Sequence, residues 1–289
     1  SRSTSRPSME LHLTLLVLLA AAMHATWNTL IKRSHDRLAE LAIVNFFSAV
    51  GAAAAIPWVG IPDPASWGYI VASIIIHTGY YYLLLQAYRV GDLSHVYPLA
   101  RGVSPLIVAL LSGAIADEAL SYGQIVGVLV ISLSVASLAL NGRWQQRHEL
   151  KPVLYAVGTG CMIGGYTLVD GTGARVSGNA PAYIAWLFAL DCLPLMAVAL
   201  LLRGRTAGAV LKAQWRTGAL GGALALGAYG TVIWALSLGA MAPVAALRET
   251  SVVMAAIIGT TFLGERFGRR RVLAAMGVAG GVIILRVAG

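Results

Sequence analysis

The stretch RGVSPLIVALLSGAIADE, residues 101–118, has a counterpart in RETSVVMAAIIGTTFLGE, residues 248–265. Arg101, Ser104, Ala109 and Glu118 of the first match Arg248, Ser251, Ala256 and Glu265 of the second, each pair 147 residues apart. Both copies set an arginine inside an apolar segment and a glutamate just after it. Upstream, Met23 and Trp27 match Met162 and Tyr166 at an offset of 139, with an aromatic four residues after the methionine each time. Two matches in the same order point to an internal duplication, a common build of membrane transporters.

Outward from these copies, ten apolar segments fill the chain. They run at roughly 11–31, 38–58, 67–87, 95–115, 123–140, 152–173, 181–202, 216–239, 243–263 and 270–288. The chain is 58% hydrophobic and only 11% charged, with mean hydropathy +0.75, against about 25% charged in a soluble domain. A membrane span needs about 20 apolar residues, and a helix satisfies its own backbone in lipid. The alternating period of a membrane barrel is absent. Each copy holds five spans, and an odd number makes the second copy sit inverted relative to the first. The expected fold is an all-α integral membrane protein of ten transmembrane helices, in two inverted five-helix repeats, 10–142 and 150–289, around a central cavity. Residues 1–8, SRSTSRPS, precede Met9 and read as an expression scar. The first span is not a cleavable signal, since nine more follow. Cys161 and Cys192 fall inside spans and read as small apolar fillers.

The net charge of +9 is unevenly placed. Fifteen of the 21 Lys and Arg residues fall at the connections after spans 1, 3, 5, 7 and 9, and four on the opposite face. Arg101 and Arg248 lie within spans. This asymmetry is the positive-inside pattern, not a nucleic-acid footprint. It puts the basic connections in the cytoplasm against anionic lipid, and both termini outside. The expected partners are a small-molecule substrate and the lipid bilayer, with no nucleic acid. Gly160 and Gly164, Gly218 and Gly222, and Gly277 and Gly281 are each four apart, a spacing that lets helices approach. No dimer follows from them; the oligomeric state is open and a monomer is compatible.

A charge at bilayer depth costs roughly 3 kcal/mol on insertion scales and needs a reason. Span 1 puts His24, Trp27 and Asn28 on one face, and span 3 repeats that spacing with His77, Tyr80 and Tyr81. Span 4 adds Tyr97 and Arg101; span 6 adds Tyr166 and Asp170; span 7 adds Trp186 and Asp191; span 9 adds Arg248 and Glu249. We take His24, Trp27, Asn28, His77, Tyr80, Tyr81, Tyr97, Arg101, Tyr166, Trp186, Asp191, Arg248 and Glu249 as candidate substrate-binding residues. Such side chains offer flat apolar faces with polar tips, and arginine grips a carboxylate with a planar fork. Arg101 and Arg248 are either anion anchors or structural ion pairs. Adjacent helical positions do not face each other, so an Arg248–Glu249 pair is not expected. Glu118 and Glu265 read as solvated helix-end residues, and Asp170 as either hydrated or cavity-facing. Trp58, Trp67, Trp144 and Trp215 read as interface-belt residues.

The ten spans in two halves, Ala116-Asp-Glu118 and Gly264-Glu265-Arg after the fourth spans, and Trp27-Asn-x-x-x-Lys32 at the exit of span 1 together resemble the drug/metabolite transporter superfamily, its EamA-type members. The resemblance covers residues 10–289. It implies a ten-helix basket with a central cavity in the bacterial inner membrane, exporting small metabolites; the group includes bacterial aromatic amino-acid exporters. One departure stands out. Related four-helix multidrug proteins couple protons through a glutamate in the first span, and span 1 here holds no acid, only His24. The expectation is a secondary transporter, an exporter or exchanger of amino acids including aromatic ones, working by alternating access. The alternatives are export of small organic acids, phosphonates or drugs, and a receptor or scaffold. No HExxH, GxSxG or nucleotide-binding loop occurs, so neither an enzyme, an ATP-driven pump nor a cofactor is expected.

Overall fold

The computed structural model describes residues 11–31, 37–90, 93–139, 150–204, 207–263 and 268–288. Among them there are helices and no strand. The first repeat holds α1 (Leu11–Ile31), α2 (Arg37–Val59), α3 (Trp67–Val90), α4 (Leu93–Ala116) and α5 (Tyr122–Ser137), with a 3₁₀ turn at Pro64–Ser66 before α3. The second holds α6 (Leu150–Val176), α7 (Ala180–Arg203), α8 (Ala207–Leu238), α9 (Met241–Arg248), α10 (Thr250–Leu263) and α11 (Arg269–Ala288). Seven of these are individually long and apolar enough to cross a membrane, and α5 is a shorter apolar helix. Leu11, Leu15 and Leu19, one face of α1, are exposed. Such bare leucine stripes suit a surface that meets acyl chains, not water.

The ninth span departs from expectation. A single helix over 243–263 is predicted; the structure divides it into α9 and α10 at Glu249. The hydrogen-bond ladder tightens there. Glu249 N–H donates to Ala246 O at 3.0 Å, Val252 N–H to Glu249 O at 3.0 Å, and Thr250 Oγ1 back-bonds to Leu247 O at 2.7 Å. Three-residue spacing inside a helix marks a 3₁₀ pinch, a usual place for a hinge or a site. Every residue of α9 is buried, so this break lies in the core.

Packing between the repeats follows an exchange. α3 packs on α6 and its counterpart α8 on α1; α4 packs on α6 while α9 and α10 pack on α1. The counterparts α2 and α7 pack on each other, as do α5 and α11. An approximate two-fold that swaps the halves produces this pattern. Glycines set the closeness. A Cβ on Gly160 of α6 would lie 2.6 Å from Ala100 O of α4, and one on Gly281 of α11 would lie 2.5 Å from Ile131 Cγ1 of α5. The main apolar core includes Val17, Val108, Ile131, Leu168, Leu236 and Leu247.

Candidate functional site

At the centre of the bundle lies a cavity of about 100 Å³, joined in its lining to a second of about 50 Å³. At roughly 10–15 Å³ per ordered water, the first has room for several waters or a small solute. His24, Trp27, His77, Tyr80, Tyr81, Arg101, Tyr166, Asp191 and Arg248 line the larger one. Asn28 and Tyr97 line the smaller one, with His24, Trp27, Tyr80 and Arg101 shared. Its further walls, Leu84 and Thr159, place it toward the face that carries the basic connections. The aromatic walls are locked. Trp27 Nε1 donates to His24 Nδ1 at 3.2 Å, and Asn28 Nδ2 to His24 O at 2.9 Å. Since an indole only donates, His24 Nδ1 serves as the acceptor. His77 stacks on Tyr166 with centroids 4.0 Å apart, its Nδ1 held against Ser73 O at 3.0 Å. Tyr81 Oη donates to Asn45 Oδ1 at 2.9 Å.

The two arginines of the repeats meet at one carboxylate. Arg101 Nε lies 2.6 Å from Glu249 Oε2, and Arg248 Nε lies 3.4 Å from Glu249 Oε1. The second contact corrects the expectation that neighbours in sequence do not pair: the helix breaks between them, so the side chains no longer diverge. Arg101 Nη2 also donates to Ser251 Oγ at 3.0 Å, and Arg248 Nη1 to Thr167 Oγ1 at 3.5 Å. Arg248 sits over the rings of Tyr166 and Tyr229, 5.9 Å from each centroid. Its Nη2 has no hydrogen-bond partner although the residue is buried. Two guanidiniums against one carboxylate leave the cluster positively charged.

Three sequence expectations change. Asp170 is neither hydrated nor on the cavity wall: it is fully buried and accepts from Tyr183 Oη at 3.1 Å and Tyr229 Oη at 2.5 Å. Glu118 is no solvated helix end. Its Oε1 lies 2.6 Å from Arg175 Nη2, and its Oε2 accepts from Met241 N–H at 2.9 Å. Arg175 further donates to Leu236 O at 3.0 Å and Gly239 O at 2.7 Å. Glutamate thus satisfies an orphan amide at the start of α9 and arginine the orphan carbonyls at the end of α8. These contacts lie at the face opposite the basic connections. Trp186 stands near that same face, donating to Gly60 O at 3.0 Å and meeting Trp67 edge-on, off the cavity wall. Glu265, Trp144 and residues 1–8 lie outside the described residues.

Sequence reasoning missed Tyr229, Phe188, Asn45 and Ser48, which also line the cavity. Phe188 was within reach, since it stands three residues before Asp191 and shares its helix face. Tyr229 gave no such signal, because its partners are distant in sequence. Asp191 Oδ1 has no hydrogen-bond partner, and the nearest basic atom recorded is His77 Nδ1 at 3.9 Å. Among the described residues, no group of three or more His, Cys, Asp and Glu is placed to hold a metal ion. Both cysteines are free.

The sequence profile of the EamA-like transporter family matches residues 13–140 and again 150–287. A solved crystal structure resembles the chain over 96% of both chains, with TM-score 0.72 and 16% identity; at that identity the likeness speaks for the fold alone. Comparison with curated proteins gave no match.

Proposed function

The chain belongs to the EamA-like transporter family, within the drug/metabolite transporter superfamily, and we propose that it exports or exchanges amino acids, aromatic ones included, across the bacterial inner membrane by alternating access. Family and membrane helices make it a multi-pass transporter of a small molecule. The observation that carries the finer reading is the cavity itself, walled by histidine, tyrosine and tryptophan and capped by a net-positive arginine cluster where α9 breaks. Discontinuous helices near the midplane are typical of transporter substrate sites. Tyrosine and tryptophan suit an amphipathic solute, and the arginines suit its carboxylate. Orientation rests on the basic connections, which we take as cytoplasmic. The cavity then reaches toward the cytoplasm while the Glu118–Arg175 latch closes the outside, one half of an alternating-access cycle.

The test is counterflow in vesicles reconstituted with the pure protein. Vesicles loaded with unlabelled L-phenylalanine should take up labelled L-phenylalanine faster than protein-free vesicles. Uptake at the protein-free rate contradicts the amino-acid reading. The second reading, export of organic acids or phosphonates, has one observation in its favour, the arginine cluster, and is tested by loading the same vesicles with 3-phenylpropanoate.

A further inference from the structure

Among the described residues, three carboxyl groups stand at the centre of the bundle, and the fold provides for two of them as ions. Glu249 lies against Arg101 and Arg248, and Asp170 accepts from the hydroxyls of Tyr183 and Tyr229. Asp191, near the middle of α7 and on the cavity wall, has no such provision. Its Oδ1 is shut off from solvent and has no hydrogen-bond partner. His77 Nδ1, 3.9 Å away, is too far to donate to it. That nitrogen is also committed: it lies 3.0 Å from Ser73 O, a carbonyl that only accepts, so its hydrogen goes there. The other helices packed on α7 bring no cation to Asp191. From α3 come His77 and Tyr81, from α6 Asp170 and Tyr166, and from α8 Tyr229. α2 turns Asn45 and Ser48, which do not titrate, to the cavity. Cys192 follows Asp191 on α7 itself.

While the cavity holds water, water supplies the missing donors. A solute that fills the cavity displaces that water and leaves the carboxylate bare, and a bare charge in a dry interior is strongly disfavoured. A solute whose carboxylate is held by Arg248 brings no remedy. Arg248 sits over the rings of Tyr166 and Tyr229, and His77 stacks on Tyr166 on the way to Asp191. An ammonium on the same carbon does not span that set of rings. A proton is the remedy: one H⁺ from bulk water turns the carboxylate into a carboxylic acid, with no other bond made or broken. We propose that Asp191 is a proton-binding site on the solute's path, which takes up a proton as the solute enters the cavity. The proposal rests on the reading of the cavity as that path. Linkage is reciprocal, so solute binds more tightly to the protein with Asp191 protonated. Affinity is then greatest in acid and falls as pH rises, by up to about tenfold per pH unit.

The test is titration calorimetry of the purified full chain with L-phenylalanine, and separately with 3-phenylpropanoate. The buffers differ in ionisation enthalpy, which reads the number of protons exchanged on binding. The series runs from about pH 6 to about pH 8, where folded proteins are generally most stable. The wild type should take up a proton, and its affinity should fall across the series. Asp191→Asn, neutral at every pH and removing no observed hydrogen bond, should show no uptake and a flat affinity. His77→Gln should keep the uptake. Absence of uptake or release of a proton by the wild type, undiminished uptake by Asp191→Asn, or loss of uptake in His77→Gln overturns the proposal. Should the asparagine variant fail to fold, infrared spectra of the wild type decide: the carbonyl band of a protonated carboxyl should grow on binding, and its absence overturns the proposal. The two readings fail separately. Counterflow of L-phenylalanine with no proton uptake on binding keeps the transporter and sinks the proton site. Proton uptake with 3-phenylpropanoate by a protein that ignores L-phenylalanine keeps the proton site and sinks the amino-acid reading. Binding of neither probe sinks both.

Discussion

Arg101 Nε lies 2.6 Å from Glu249 Oε2, so the buried arginine of the first repeat is neutralised by a glutamate of the second. Each is almost wholly buried, and each comes from a position the duplication aligns: Arg101 matches Arg248, the residue before Glu249. The pair is therefore a tie between repeats at the point where α9 gives way to α10. Removing one partner of a buried pair is far costlier than removing both. Arg101→Ala should destabilise the protein by about 3 kcal/mol, seen as a large fall in melting temperature. Combined with Glu249→Gln, which by itself takes the carboxylate from Arg101 and Arg248 together, the loss should fall short of the sum of the two single losses. Additive losses in the double variant would show that the two side chains are not coupled.

The latch predicts a change of state, not of stability. Glu118→Gln keeps the shape and weakens the charged hydrogen bonds to Arg175 and Met241. In a protein lacking Cys161 and Cys192, Met241→Cys reports on this end of the bundle, where Met241 is fully buried. Its alkylation by an impermeant maleimide should rise about tenfold in the Glu118→Gln background, the effect of losing one charge-assisted bond. An equal rate in both backgrounds would mean that the pair does not hold this face shut.

Helix closeness predicts a contrast between two glycines. A Cβ on Gly160 would meet Ala100 O at 2.6 Å, whereas one on Gly280 would meet nothing within 4 Å. Gly160→Ala should cost about 1–3 kcal/mol through overpacking, and Gly280→Ala should leave the melting temperature unchanged or slightly raised. Equal melting temperatures for the two variants would place the α4–α6 contact wrongly.

Topology is open to a reporter. With the basic connections inside, both termini lie outside. A C-terminal fusion after Gly289 should be active with a reporter that works only outside the cytoplasm, and silent with one that works only within it. The opposite result would reverse the orientation proposed for the closed and open ends.

Much of this was legible because helices repeat their faces. His24, Trp27 and Asn28, and His77, Tyr80 and Tyr81, follow three-and-four spacing, and the structure turns most of each set to the cavity. Trp186 was misread for the same geometry: five residues from Asp191 is about 140° around the helix, which aims it elsewhere. The break at Glu249 was hidden, since Arg-Glu-Thr-Ser contains no proline or glycine. It goes with tertiary partners, Arg101 and Thr167, that no local pattern reveals. A glutamate at a helix end is usually solvated, and nothing near Glu118 in sequence says otherwise; Arg175, 57 residues away, decides the matter.

The central claim is that a solute passes through the cavity between the repeats. Ala225, on the cavity wall, can be enlarged to tryptophan to fill that space while every residue of the charged cluster is kept. The measurement is L-phenylalanine counterflow by wild-type and Ala225→Trp protein, each verified as monodisperse before reconstitution. The account predicts exchange by the wild type and none above the protein-free rate by the variant; equal exchange by both would contradict it.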